Sequence, residues 1–128
     1  METIMVQEND EATMEVVTAA LEMKGYQVCS LDGYNENAIE RIRRYHPKLV
    51  LLDSWLGTHS GKKLSHWIKA HFRKLPIIAF SCDNQVEEHY RELGFDGYLK
   101  KPFDLEHLYS VIRQHRHFKK HHRIAATV

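Results

Sequence analysis

The sequence predicts an α/β domain built on a five-stranded, doubly wound parallel sheet. Three observations carry that reading. Leu49-Val50-Leu51-Leu52 and Pro76-Ile77-Ile78-Ala79-Phe80 are apolar runs without alternation, as expected of strands buried on both faces. Segments with apolar residues at helical spacing separate the strand-like runs, so that strand and helix alternate five times. The two buried runs also stop abruptly on polar residues, Asp53 and Ser81. In open parallel sheets the functional crevice lies beyond such carboxyl ends.

Ile4-Met5-Val6 forms the first strand and ends in Gln7-Glu8-Asn9-Asp10-Glu11, where Asn9 or Asp10 can cap a helix. That helix runs to about Lys24 on a stripe of Val16, Val17, Ala20 and Leu21, and Gly25 stops it. Tyr26 to Cys29 is the second strand, followed by a turn at Asp32-Gly33. Ala38, Ile39, Ile42 and Tyr45 mark the second helix, which His46-Pro47 ends. After the central strand, Gly61 opens a third helix with Leu64, Trp67, Ile68 and Phe72 inward. Val86, Tyr90 and Leu93 mark a weaker fourth helix closed by Gly94. Gly97 to Lys101 is a short fifth strand stopped by Pro102. The last helix starts at an Asp104 cap and turns Leu105, Leu108, Val111 and Ile112 inward. Right-handed crossovers then give the strand order 2-1-3-4-5 of the flavodoxin-like (βα)5 type.

The chain's 128 residues fit one domain, and 18 Lys and Arg nearly balance 17 Asp and Glu. That balance carries no nucleic-acid footprint, and no apolar run approaches a membrane span. Cys29 and Cys82 both fall in apolar surroundings and on separated elements, so they read as free thiols of a cytoplasmic protein. His115 to Arg123 forms a basic end. His117 and His121 stand at i, i+4 there, but with no acidic or thiol ligand beside them they read as solvated.

The predicted strand ends deliver Glu8, Asn9, Asp53, Ser81 and Lys101 to one region. Clustered carboxylates and other oxygens suit Mg²⁺, and a carboxylate can act as a nucleophile toward phosphorus. A metal, an ammonium and a hydroxyl would together neutralise the transferring oxygens. Taken alone, Asp53 and Ser81 have ordinary roles as caps or turn formers, and Lys101 as a solvated surface residue. His59, in the loop after Asp53, reads as a surface histidine.

Leu49-Val50-Leu51-Leu52-Asp53 with Gly61 eight residues on, Pro76 to Ser81, and Tyr98-Leu99-Lys100-Lys101-Pro102-Phe103 occur in order. With these signatures the chain resembles the receiver domain of bacterial two-component response regulators, from about Thr3 to His115. The resemblance implies that Asp53 is the phospho-acceptor, that Lys101 contacts the phosphoryl group, and that Ser81 moves to bond it. It implies that Tyr98 changes rotamer with state and that Lys101-Pro102 is a cis peptide. It implies a Mg²⁺ site formed by Glu8, Asn9, Asp53 and the backbone carbonyl of Trp55. It divides the chain into a receiver domain, 1–117, and a basic C-terminal tail, 118–128. The partners it implies are a sensor histidine kinase or histidine phosphotransfer protein and a downstream protein target. The surface for that target, or for a dimer, is the face of the fourth helix, fifth strand and fifth helix.

Two positions depart from the family pattern. Asn9 stands where a second acid is usual, which removes one negative charge and weakens the expected hold on Mg²⁺. Gly57 stands where Pro is usual, which loosens the loop after Asp53. These departures motivate a rival reading as a pseudo-receiver, a binding module that works without phosphorylation. A small FMN-binding or metabolic protein of the same fold ranks last, because the acidic loop after the first strand would repel a phosphate.

Overall fold

The computed structural model describes residues 2–31, 37–53 and 59–115, with side chains outside 59–63. The chain runs β1 (Thr3–Gln7), α1 (Glu11–Met23), β2 (Gln27–Ser30), α2 (Asn37–Tyr45), β3 (Leu49–Asp53), α3 (His59–His71), β4 (Ile77–Ser81), α4 (Val86–His89) and β5 (Gly97–Lys100). A last helix, α5, covers residues 105–115. The five strands are parallel in the order β2-β1-β3-β4-β5, as expected. No helix among the described residues is long and apolar enough to cross a membrane.

Alternation along the strands divides the core into two layers. On one face Met5, Val50, Leu52, Ile77 and Ala79 pack under α2 and α3 through Ala38, Ile39, Ile42, Leu64 and Ile68. On the other, Ile4, Val6, Leu49, Leu51, Ile78, Phe80 and Leu99 pack under α1 and α5 through Val17, Ala20, Leu21, Leu108 and Ile112. Every residue of β3 and β4 is buried, which explains why their sequences are continuous rather than alternating apolar runs.

Local chemistry sets the element ends. Asp10 caps α1, its carboxylate accepting from the Thr13 N–H at 3.0 Å and from the Thr13 hydroxyl at 2.6 Å. Gly25, at φ +86°, lets Tyr26 N–H reach the Leu21 carbonyl and its own N–H reach that of Glu22. Gly94, at φ +90°, forms the same closure after α4, with Phe95 N–H on the Tyr90 carbonyl. Asp104 caps α5 through the His107 N–H at 2.7 Å.

Several sequence expectations need correction. Val16 is 55% exposed and Leu105 43% exposed. The inward stripes are Val17, Ala20 and Leu21 on α1 and Leu108, Val111 and Ile112 on α5, each repeating at i, i+3, i+4. Val16 stands about 100° away from Val17, and Leu105 sits in the first turn. Tyr45, also exposed, ends α2 and packs against the guanidinium groups of Arg41 and Arg44. Cys82 is exposed because β4 ends one residue before it, whereas Cys29 is buried. The third helix begins at His59, before Gly61, and the fourth is a single turn followed by a looser turn to Gly94. β5 stops at Lys100, leaving Lys101 just beyond the sheet. The Asp32-Gly33 turn, Trp55, Gly57, the His59 side chain and the tail with His117 and His121 lie outside what is described.

Asp96 ties α3 to the start of β4. Its carboxylate accepts from the Ile77 N–H at 2.8 Å and pairs with Lys69 at 2.6 Å. Asp96→Ala is expected to cost about 1–2 kcal/mol in urea unfolding, with Asp96→Asn recovering part of it by keeping an acceptor.

Candidate functional site

The site forms where β1, β3, β4 and β5 end together. β3 and β4 are in register with Asp53 beside Phe80, and β4 and β5 with Ser81 beside Lys100, so topology alone brings the terminal residues close. Asp53 is 7% exposed at the mouth of the sheet. Lys101 reaches back from the end of β5 and places its Nζ 3.1 Å from Asp53 Oδ1 and 2.6 Å from Glu8 Oε1. The same ammonium lies 4.5 Å from the centre of the Phe80 ring, and Phe103 packs edge-on against that ring at 5.1 Å. The Lys101-Pro102 peptide is cis.

Glu8 is enclosed by this arrangement. Its side chain is 1% exposed, and its second carboxylate oxygen accepts from the Asn9 N–H at 3.0 Å. Burial pushes the Glu8 carboxyl above the usual range, and its nearness to Asp53 pushes it the same way. The Lys101 ammonium opposes both without cancelling them. For Lys101 burial works downward, but the two carboxylates outweigh it and hold its ammonium above the ordinary lysine range. The two directions agree physically. Two acids share one cation, so the cation is held firmly, and Glu8, its side chain almost wholly enclosed, keeps its proton longer than an ordinary glutamate.

The remaining expected residues are placed as follows. Ser81 is buried, and its Oγ accepts from the Asp83 N–H at 3.0 Å, the turn role that any serine here could play. Its hydroxyl proton is not used in that bond. Tyr98 is half-buried, with its ring 5.2 Å from that of Tyr90. Burial and a hydrogen bond to Glu87 on α4 raise its phenol above the usual range. Asn9 is exposed beside the cluster. Trp55, whose carbonyl was expected at the site, lies outside the described residues.

One site residue escaped the sequence reading. Gln7, the last residue of β1, is fully buried. Its Oε1 accepts from the Asp53 N–H at 3.1 Å and its Nε2 donates to Asn9 Oδ1 at 3.3 Å. The available signal was an amide closing a strand that is otherwise apolar on both faces.

The donor set is a pair of carboxylates and an amide carbonyl, hard oxygens of the kind that Mg²⁺ accepts. Glu8, Asp53 and Asn9 therefore fit such an ion by chemistry. No group of three or more acidic, histidine or cysteine side chains stands ready for a metal among the described residues. Any ion here would rely on the amide and on water.

Comparison with known proteins agrees with this geometry. Residues 4–113 match the family model of the response regulator receiver domain. The chain is 27% identical over 117 residues to the polar-differentiation response regulator DivK of Brucella ovis, covering 88% of this chain and 94% of DivK. It is 29% identical over 113 residues to the probable transcriptional regulatory protein TcrX of Mycobacterium tuberculosis, covering 87% of this chain but only 48% of TcrX. The chain thus spans about half of that relative's length. The structure of the response regulator TrrA from Thermotoga maritima, in complex with Mg²⁺-BeF, superposes with a TM-score of 0.77 at 20% identity. That match covers 90% of this chain and 99% of TrrA, a likeness of fold. A family match over nearly the whole folded region, on a sheet whose strand ends gather an acid pair and a lysine, makes this chain a member of the receiver-domain family of two-component response regulators.

Proposed function

We propose that the chain accepts a phosphoryl group on Asp53 from a phospho-histidine donor, a sensor kinase or a histidine phosphotransfer protein. The observation that carries this reading is the placement of the Lys101 ammonium against both Asp53 and Glu8 at the mouth of the sheet. In the transfer an Asp53 carboxylate oxygen forms the new P–O bond as the P–N bond to the donor imidazole breaks. The electron pair of that bond leaves with the imidazole, which carries the proton. Lys101 follows the developing charge on the phosphoryl oxygens. Ser81 donates its free hydroxyl proton to one of them while its oxygen keeps the Asp83 contact. Glu8, Asn9, Asp53 and the Trp55 carbonyl would hold a Mg²⁺ ion, which supplies charge neutralisation at the phosphoryl oxygens.

The signal would leave through α4, β5 and α5, toward a downstream protein or a second copy. Tyr98 is suited to report it, because its contacts with Tyr90 and Glu87 join β5 to the α4 region. In this reading 1–117 is the receiver unit and 118–128 a basic extension. A second reading, a receiver that binds its partner without phosphorylation, is favoured by one observation. Asn9 supplies an amide where a second carboxylate would strengthen ion binding.

The test is incubation with phosphoramidate and Mg²⁺ followed by intact mass. A gain of one phosphoryl group, absent in Asp53→Asn and lost with EDTA, is expected. No gain in a protein folded by circular dichroism would favour the second reading. Lys101→Met is expected to slow the gain by about a hundredfold, the usual cost of one lost electrostatic donor.

The acid cluster also carries a pH signature. Because the folded-state pKa of Glu8 lies above its ordinary 4.5, the folded protein binds more protons than the unfolded chain just above that value. Its contribution to stability is full below 4.5 and falls as pH rises through the raised pKa. The Lys101 contribution is full below 10.5 and is lost as pH rises through its own raised pKa. Lys101→Met removes the cation that restrains Glu8. Carbon-13 NMR titration should then show the Glu8 midpoint moving further upward, and a downward move would contradict the shared-cation arrangement.

A further inference from the structure

Gln7 is a buried amide at the tip of an apolar strand, and its hydrogen bonds can be read in only one sense. The Asp53 backbone N–H is a donor and nothing else, so the Gln7 atom facing it at 3.1 Å is the carbonyl oxygen. The other end of the same amide is therefore the NH₂ group, and its partner, 3.3 Å away, must be the oxygen of Asn9. No buried side-chain nitrogen or oxygen among the described residues lacks a partner, and for Gln7 Nε2 that partner is Asn9 Oδ1. Turning Asn9 over would set two NH₂ groups against each other and leave a buried donor unpaired.

From this geometry we infer that Gln7 is a positioning residue that holds the Asn9 carbonyl oxygen inward and thereby limits divalent-ion affinity at the Asp53 site. The Asn9 oxygen is the one atom of that side chain able to ligate a cation. With one lone pair of that oxygen engaged by Gln7, only the other is left for a cation, in a direction that Gln7 fixes. The inference rests on the receiver reading only in taking Glu8, Asn9 and Asp53 as the ion-binding cluster. The hydrogen-bond argument stands apart from phosphorylation.

A double-mutant cycle tests it, with Mg²⁺ affinity measured by isothermal titration calorimetry on the unphosphorylated full chain. Gln7→Met keeps side-chain length but cannot donate. It removes the Gln7 acceptor from the Asp53 N–H in every background, so that effect cancels in the cycle. In the unaltered background it should tighten Mg²⁺ binding by about three- to tenfold, the equivalent of one released hydrogen bond. In an Asn9→Asp background, where the carboxylate has a second oxygen to offer, it should give no gain. Equal effects in both backgrounds, or no effect in either, would overturn the inference. If Gln7→Met does not fold, the unaltered protein is read by NMR. The Gln7 side-chain amide protons should exchange with water more slowly than those of exposed Gln27 and Gln114, and equal exchange would overturn the inference. A coupled cycle in a protein that takes no phosphoryl group would sink the proposed function alone. An additive cycle in a protein that does take one would sink the Gln7 role alone.

Discussion

An ammonium shared by two carboxylates is the interaction on which the mouth of the sheet depends. Glu8 follows β1 and Asp53 ends β3, strands that pair side by side, and parallel register leaves the two acids close. Both are nearly excluded from water, and the nearness of Asp53 raises the cost of ionising Glu8. Lys101 offsets part of that cost, because β5 ends at Lys100 and the next side chain reaches back over Phe80 to both acids. A neutral residue at 101 would leave two buried acids to settle their repulsion by taking up a proton. The fold therefore concentrates negative charge and supplies a cation, Lys101, that makes this tolerable.

That arrangement needs rigid supports, and the two core layers provide them. β3 and β4 are buried on both faces and carry Asp53 and Ser81 on their last residues. Neither backbone position can shift without moving a strand that packs against helices above and below. Glu8 is held differently, by a loop that leads from β1 into the Asp10 cap of α1. The cap, whose carboxylate Thr13 holds below the usual range, fixes where the helix begins. It thereby fixes how much chain lies between Gln7 and α1.

Much of this was legible in the residues. Continuous apolar runs of four or five residues between amphipathic segments leave few alternatives to a parallel sheet, and the positions of Asp53, Ser81 and Lys101 follow from where those runs stop. The errors arose where a pattern was read one position too widely. Val16 and Leu105 are apolar and adjoin real stripes, yet the helical angle turns both to solvent. The fourth helix shrank to one turn because its apolar residues, Val86, Tyr90 and Leu93, can also be buried by a turn closing at Gly94. Gln7 was hidden for another reason. Whether a terminal amide faces solvent or the site depends on side-chain direction, which periodicity does not encode. Orientation at Ser81 escaped for the same reason, since its contact with Asp83 is a property of the turn rather than of the strand.

The unequal burial of the two cysteines has a practical chemical consequence. Cys29 is enclosed in the sheet, with the Arg41 guanidinium 3.2 Å from its sulfur. Cys82 faces solvent one peptide bond beyond Ser81. A maleimide fluorophore offered to the folded protein therefore has one accessible thiol at which to attach. It would sit beside the Asp83 turn with no engineered residue needed, and its emission would report the local polarity at the end of β4.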